Sequence, residues 1–191
     1  MANHQPNAIT VVHKFIRQEL FAAAGLLARA TPADSAEVLQ SLNAIAVVLR
    51  RHAEMEDRTL EPQLRQLDRA FANHMAEDHR HLEKQLSRVL VQAEDLEPSQ
   101  DGLCRELLAR LHLDWLKFVG EYLLHLDDEE RLLFARLETL PPPSFVGQSA
   151  SAMPVGERRE FLAKLVLAIN PAELKLVRSA LTPEQQDAIG V

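Results

Sequence analysis

Four stretches of the 191-residue chain place apolar side chains three or four positions apart, the spacing that lines them along one face of an α-helix. The first stretch runs from about Asn7 to Ala30, with Ile9, Ile16, Leu20, Ala23 and Leu27, and stops at Thr31-Pro32. The second opens near Pro32-Ala33-Asp34 and carries Val38, Leu42, Ile45, Leu49 and Leu60. Pro62 should kink or end it, because proline lacks an N–H and clashes with the preceding turn. The third spans about Asp68 to Asp95, with Leu67, Phe71, Met75, Leu82, Leu86 and Val89. Glu97-Pro98-Ser99 form a turn, and the fourth stretch follows Asp101-Gly102 with Leu107, Leu111, Trp115, Phe118, Tyr122, Leu132 and Arg136. Short connections favour antiparallel neighbours, so the expected fold is all-α, an up-down-up-down four-helix bundle. Few glycines and an abundance of Leu, Ala, Glu, Arg and Gln agree with helix over sheet.

Polar residues interrupt these stripes at matching places. His13 falls on the first, His52 and Glu56 on the second, His79 on the third, and His125 and Glu129 on the fourth. The order is histidine, then His-x-x-x-Glu, twice over. A four-residue step turns a helix by one revolution plus about 40° and advances about 6 Å, so each pair can aim an imidazole and a carboxylate at one point. Residues in step with an apolar stripe face the core, where an uncompensated ion costs several kcal/mol. No arginine or lysine shares the stripes at the levels of Glu56 and Glu129. Two divalent cations would satisfy all six side chains, and imidazole with carboxylate is a ligand set of non-haem iron. Zinc or manganese would suit the same donors.

The remaining histidines fit less well. His74 lies about 140° around the helix from His79 and could join only if the helix were irregular; His81 lies about 200° away and should face solvent. His112 sits at the edge of the fourth stripe as a structural residue, and His4 lies in the N-terminal segment. Asp57 and Glu130, each following a candidate glutamate, are either substitute ligands or solvated helix face. Tyr122 reads first as core, and as a hydrogen-bond donor to a ligand in the sharper alternative. Met75 and Leu49 stand one turn before a histidine and would wall the site. Cys104 is a small buried apolar residue.

Beyond Leu140 the pattern changes. PPPSFVGQSASAMP reads as a loop, which divides the chain into a bundle over 1–140, a linker over 141–155 and a helical extension over 156–191. Glu157 to Asn170 and Pro171 to Leu181 form two short helices, and Thr182-Pro183-Glu184-Gln185 caps a last turn. A net charge of -7 argues against nucleic acid or an anionic membrane as partner. No run approaches the roughly 18 apolar residues of a membrane span. A single cysteine and an N-terminus without the layout of a signal peptide suit the cytoplasm. A Gly-rich phosphate loop, an H-E-x-x-H motif and a nucleophile elbow are all lacking.

The segments HKFIRQEL (His13), HAEMEDRTLEP (His52, Glu56), EDHRHLEKQL (His79) and HLDDEERLLFARL (His125, Glu129) together resemble the hemerythrin-like domains, known for their His-His-Glu motif. The resemblance covers about residues 8 to 139. It implies two non-haem irons in the bundle, bridged by the two glutamates and capped by the four histidines. One departure stands out. The oxygen carriers of that family hold a second histidine four residues before the one on the third helix; here that position is Met75. Fewer protein ligands leave more positions for a small molecule, which favours sensing, detoxification or iron handling over oxygen carriage. The expectation is therefore a di-iron protein that binds, senses or reduces O2, peroxide or NO, drawing electrons from an external reductant. A non-catalytic iron- or oxygen-responsive module and a metal-free helical scaffold are the alternatives. Whether the chain is an enzyme, and its oligomeric state, stay open at this level.

Overall fold

The computed structural model describes residues 8–133, 146 and 153–188. Helix α1 spans Ala8–Arg29. The Thr31 N–H and hydroxyl both donate to Asp34 Oδ2 at 2.8 Å, which folds Pro32–Asp34 into a short 3₁₀ turn that launches α2, Ser35–Thr59. The helix breaks at Leu60 and resumes as α3, Glu61–Leu67. Pro62 thus sits in a first turn, where its missing N–H goes unused. Asp68 adopts an extended backbone and its Oδ1 accepts from Phe71 N at 3.0 Å, capping α4, Arg69–Glu94. Helix α5, Asp101–Asp128, passes directly into a π-helical turn, Glu129–Leu133. Three short helices complete the described chain: α6 (Val155–Ala168), α7 (Pro171–Ala180) and α8 (Pro183–Ala188). The architecture is all-α, with no strand among the described residues. No described helix is long and apolar enough to cross a membrane.

The chain divides into two compact units, Glu19–Arg136 and Met1–Gln18 with Leu137–Val191. In the first, Leu20, Leu42, Leu86, Leu111, Trp115, Phe118 and Leu126 are fully enclosed. Trp115 donates its indole N–H to Leu20 O at 3.2 Å, so the ring's one polar atom is satisfied where its bulk is buried. In the second, Phe15 meets Phe161 edge to face at 5.0 Å, and Lys14 donates to Glu173 Oε1 at 2.6 Å. Glu173 Oε2 also accepts from Asn170 N, while Asn170 Oδ1 accepts from Glu173 N. This reciprocal pair starts α7 as a capping box. Thr182 and Gln185 exchange the same bonds ahead of α8, as expected of that segment.

Three expected core positions differ. Leu67 closes α3 rather than opening α4, and is exposed. Leu108, not Leu107, faces the core of α5. Leu132 lies at the surface within the π turn, whose wider winding takes its residues out of step with the α-helical stripe. Of the expected linker over 141–155, only Val146, which is buried, and residues 153–155 are described; the rest of it, the end of the fourth stretch at Arg136, and His4 lie outside the described residues.

Candidate metal centre

His52 and Glu56 stand one turn apart on α2, with His52 Nε2 3.4 Å from Glu56 Oε2. At the end of α5 the arrangement repeats, with His125 Nε2 3.1 Å from Glu129 Oε1. His79 enters from α4 and places its Nε2 3.6 Å from both Glu56 Oε2 and Glu129 Oε1. The other oxygen of Glu129, Oε2, lies 4.0 Å from His52 Nε2. Glu129 therefore turns one oxygen toward His79 and His125, and the other toward His52. All five of these residues lie in the Glu19–Arg136 unit. His13 is buried on α1, in the other unit.

Donor atoms from Glu56, His79, His125 and Glu129 all fall within 4.8 Å of one another. Ligand bonds of about 2.0 to 2.2 Å put two donors on one cation about 3 Å apart when adjacent and about 4 Å when opposite. The 3.1 and 3.6 Å spacings match adjacent donors. His79 Nε2 and His125 Nε2 are buried and face the carboxylates of Glu56 and Glu129 without a well-directed hydrogen bond, an arrangement that a cation held between them would satisfy. The residues present fit a metal.

The electrostatics reflect this convergence. Burial alone would depress the His79 pKa, but the facing carboxylates of Glu129 and Glu56 outweigh it and raise the pKa to about 11. His125 is likewise opposed by burial, yet is raised to about 9 by Glu129 and Asp78. Tyr122 rises well above its ordinary value through burial, then through the negative charge of Glu129 and Glu56; its phenol stays neutral. Its ring meets His125 edge on at 5.7 Å.

Around the donors lies a further set of contacts. His79 Nδ1 is 2.8 Å from Asp57 Oδ1, and His125 Nδ1 is 3.9 Å from Asp78 Oδ2. The His125 ring holds the Asp78 carboxyl below the usual range. Leu49 and Met75 are buried, and Leu49 lines a cavity of about 30 Å³ together with His79, Phe118 and Tyr122. Outside it, a groove of about 670 Å³ runs between α2 and α4 and reaches Asp57 and His79.

Five of the six residues singled out by sequence thus meet within one unit. His74 is exposed and faces Asp78 at 3.5 Å. His81 is exposed with Glu121 at 2.8 Å, as its angle implied, and His112 is half-buried. Asp57, read from sequence as a substitute ligand or solvated face, is exposed and also bonds to a histidine across the helix pair. The placement of Asp78 was not anticipated. Both acids directly adjoin a candidate ligand in sequence, and that adjacency was the one available signal.

Fold and cluster together define a helical bundle with a candidate cation centre. The model of the hemerythrin HHE cation binding domain matches residues 5–137, and the chain belongs to that family. No curated protein and no solved structure matches it.

Proposed function

We propose that this chain is a non-haem di-iron protein that binds, senses or reduces a small oxygen or nitrogen species: O2, peroxide or NO. The observation that carries the reading is Glu129, whose two oxygens face different histidines, His52 on one side and His79 with His125 on the other. A carboxylate so divided suits a bridge between two cations, with Glu56 beside it, 3.4 Å from His52 and 3.6 Å from His79. His13 completes the ligand set on the strength of its place in the family's motif. Zinc or manganese could occupy the same donors.

Bound iron would supply exchangeable electrons and open coordination positions for the small molecule. The protein's own part is to hold two carboxylates and four imidazoles as ligands. Leu49 and Met75 would form an apolar wall over the donors, and Tyr122, whose ring meets His125 edge on, keeps its phenol neutral. Reduction would draw on an external donor in the cytoplasm.

Iron content per chain tests the proposal, on protein produced in iron-replete medium and purified without added metal or chelator. About two irons per chain are expected, and His52→Ala combined with His125→Ala should abolish them. Absence of metal even after anaerobic ferrous reconstitution would overturn the proposal and leave a metal-free scaffold.

A further inference from the structure

We infer that Asp57 is a positioning residue for the metal centre: it holds His79 through Nδ1 so that Nε2 points at Glu56 and Glu129. The inference rests on the metal-binding reading above and assigns a part to a residue outside the six-residue ligand set.

Asp57 directly follows Glu56 on α2, so the two side chains leave the helix about 100° apart. When Glu56 points into the core, Asp57 stands at the margin of α2 that faces α4. There its Oδ1 lies 2.8 Å from His79 Nδ1. An ionised carboxylate only accepts, so Nδ1 must carry the hydrogen, and Nε2 is left to serve as a ligand. A carboxylate behind a metal-bound imidazole fixes ring orientation and tautomer and raises ligand basicity.

The two histidines on this side of the centre differ in how their rings are held. His125 is 3% exposed, and its ring lies between Tyr122 at 5.7 Å and His79 at 4.9 Å. Enclosure by these rings and the approach of its Nε2 to Glu129 Oε1 at 3.1 Å keep it in place, and Asp78 at 3.9 Å is too distant for a direct hydrogen bond. His79 is 10% exposed and borders the α2–α4 groove. It has space on its outer side, and Asp57 is what prevents the ring from turning into that space. Two guanidinium groups line the groove and both are engaged elsewhere: Arg50 by both oxygens of Glu83 at 2.8 and 3.1 Å, and Arg80 by Ala76 O at 3.1 Å. Asp57 itself is 54% exposed, so its replacement leaves no hole in the core.

The test uses the full chain, stripped of metal and titrated with cobalt(II) against a competing chelator. Proton NMR of the loaded protein reads the hyperfine-shifted, solvent-exchangeable ring N–H signals. Asp57→Ala should weaken cobalt binding about 10- to 100-fold and remove one such signal. Asp57→Asn keeps an acceptor oxygen and should restore that signal with a smaller loss of affinity. Asp78→Ala should cost less than Asp57→Ala. Circular dichroism should show unchanged helix content in every variant. If Asp57→Ala keeps wild-type affinity and every ring signal, or if Asp57→Asn matches Asp57→Ala on both readouts, the positioning role is overturned and the metal site stands. Wild-type protein that takes up no cobalt overturns the metal-binding reading itself.

Discussion

A buried imidazole facing carboxylates keeps its proton until a metal replaces it. His79, raised to about 11, and His125, raised to about 9, are both charged at pH 8 in metal-free protein. Their pairing with Glu56 and Glu129 stabilises that form fully below the unfolded value of about 6.5. The contribution is lost as pH rises through 9 and then 11. A metal needs neutral imidazole, so binding at pH 8 should expel about two protons, and affinity should climb with pH. Titration calorimetry in buffers of different ionisation enthalpy measures the release; an enthalpy independent of the buffer would refute it. The core-facing positions of the five residues that meet in the Glu19–Arg136 unit were legible in the sequence, because each is in phase with an apolar stripe. Asp57 was not, since its partner is 22 residues away on another helix. A stripe gives the face of a helix and not how neighbouring helices are rotated against each other.

Helix ends were legible where a side chain dictates them. Pro62 had to interrupt the second stretch, and it falls in the first turn of α3. Asp68 marks the start of α4 because a short carboxylate can satisfy one of the N–H groups that an opening turn leaves bare. That helix carries His79, so its start also sets the height of a donor. Asp68→Ala should cost about 1 kcal/mol, read as a lower urea midpoint in metal-free protein. An unchanged midpoint would mean the Phe71 N–H is satisfied equally well by water. The π turn at Glu129–Leu133 was not legible, because nothing in HLDDEERLL breaks helical periodicity. Its effect is visible within the turn itself, where Leu132 leaves the stripe. Such turns recur at functional sites, and this one begins on Glu129, the residue whose two oxygens face different histidines.

On the scale of the whole molecule, the expected all-α bundle and short C-terminal helices are present. The partners of those last helices could not be read, because Lys14 and Glu173 are 159 positions apart and each alone resembles any solvated charge. Within the Glu19–Arg136 unit, three helices converge on one polar cluster inside an apolar core: α2 through His52 and Glu56, α4 through His79, and α5 with its π turn through His125 and Glu129. Without a cation, that unit encloses the carboxylates of Glu56 and Glu129 against the protonated rings of His79 and His125. A ligand that binds only the folded form stabilises it by mass action, by about 4 kcal/mol per site when free ligand is a thousandfold above Kd. Thermal unfolding should therefore shift upward with ferrous iron or zinc, in proportion to the logarithm of free metal. His52→Ala combined with His125→Ala should lose the shift while remaining helical. A melting temperature insensitive to metal in the wild-type chain would mean the cluster is satisfied internally, and the cation would then have no part in holding α2, α4 and α5 together.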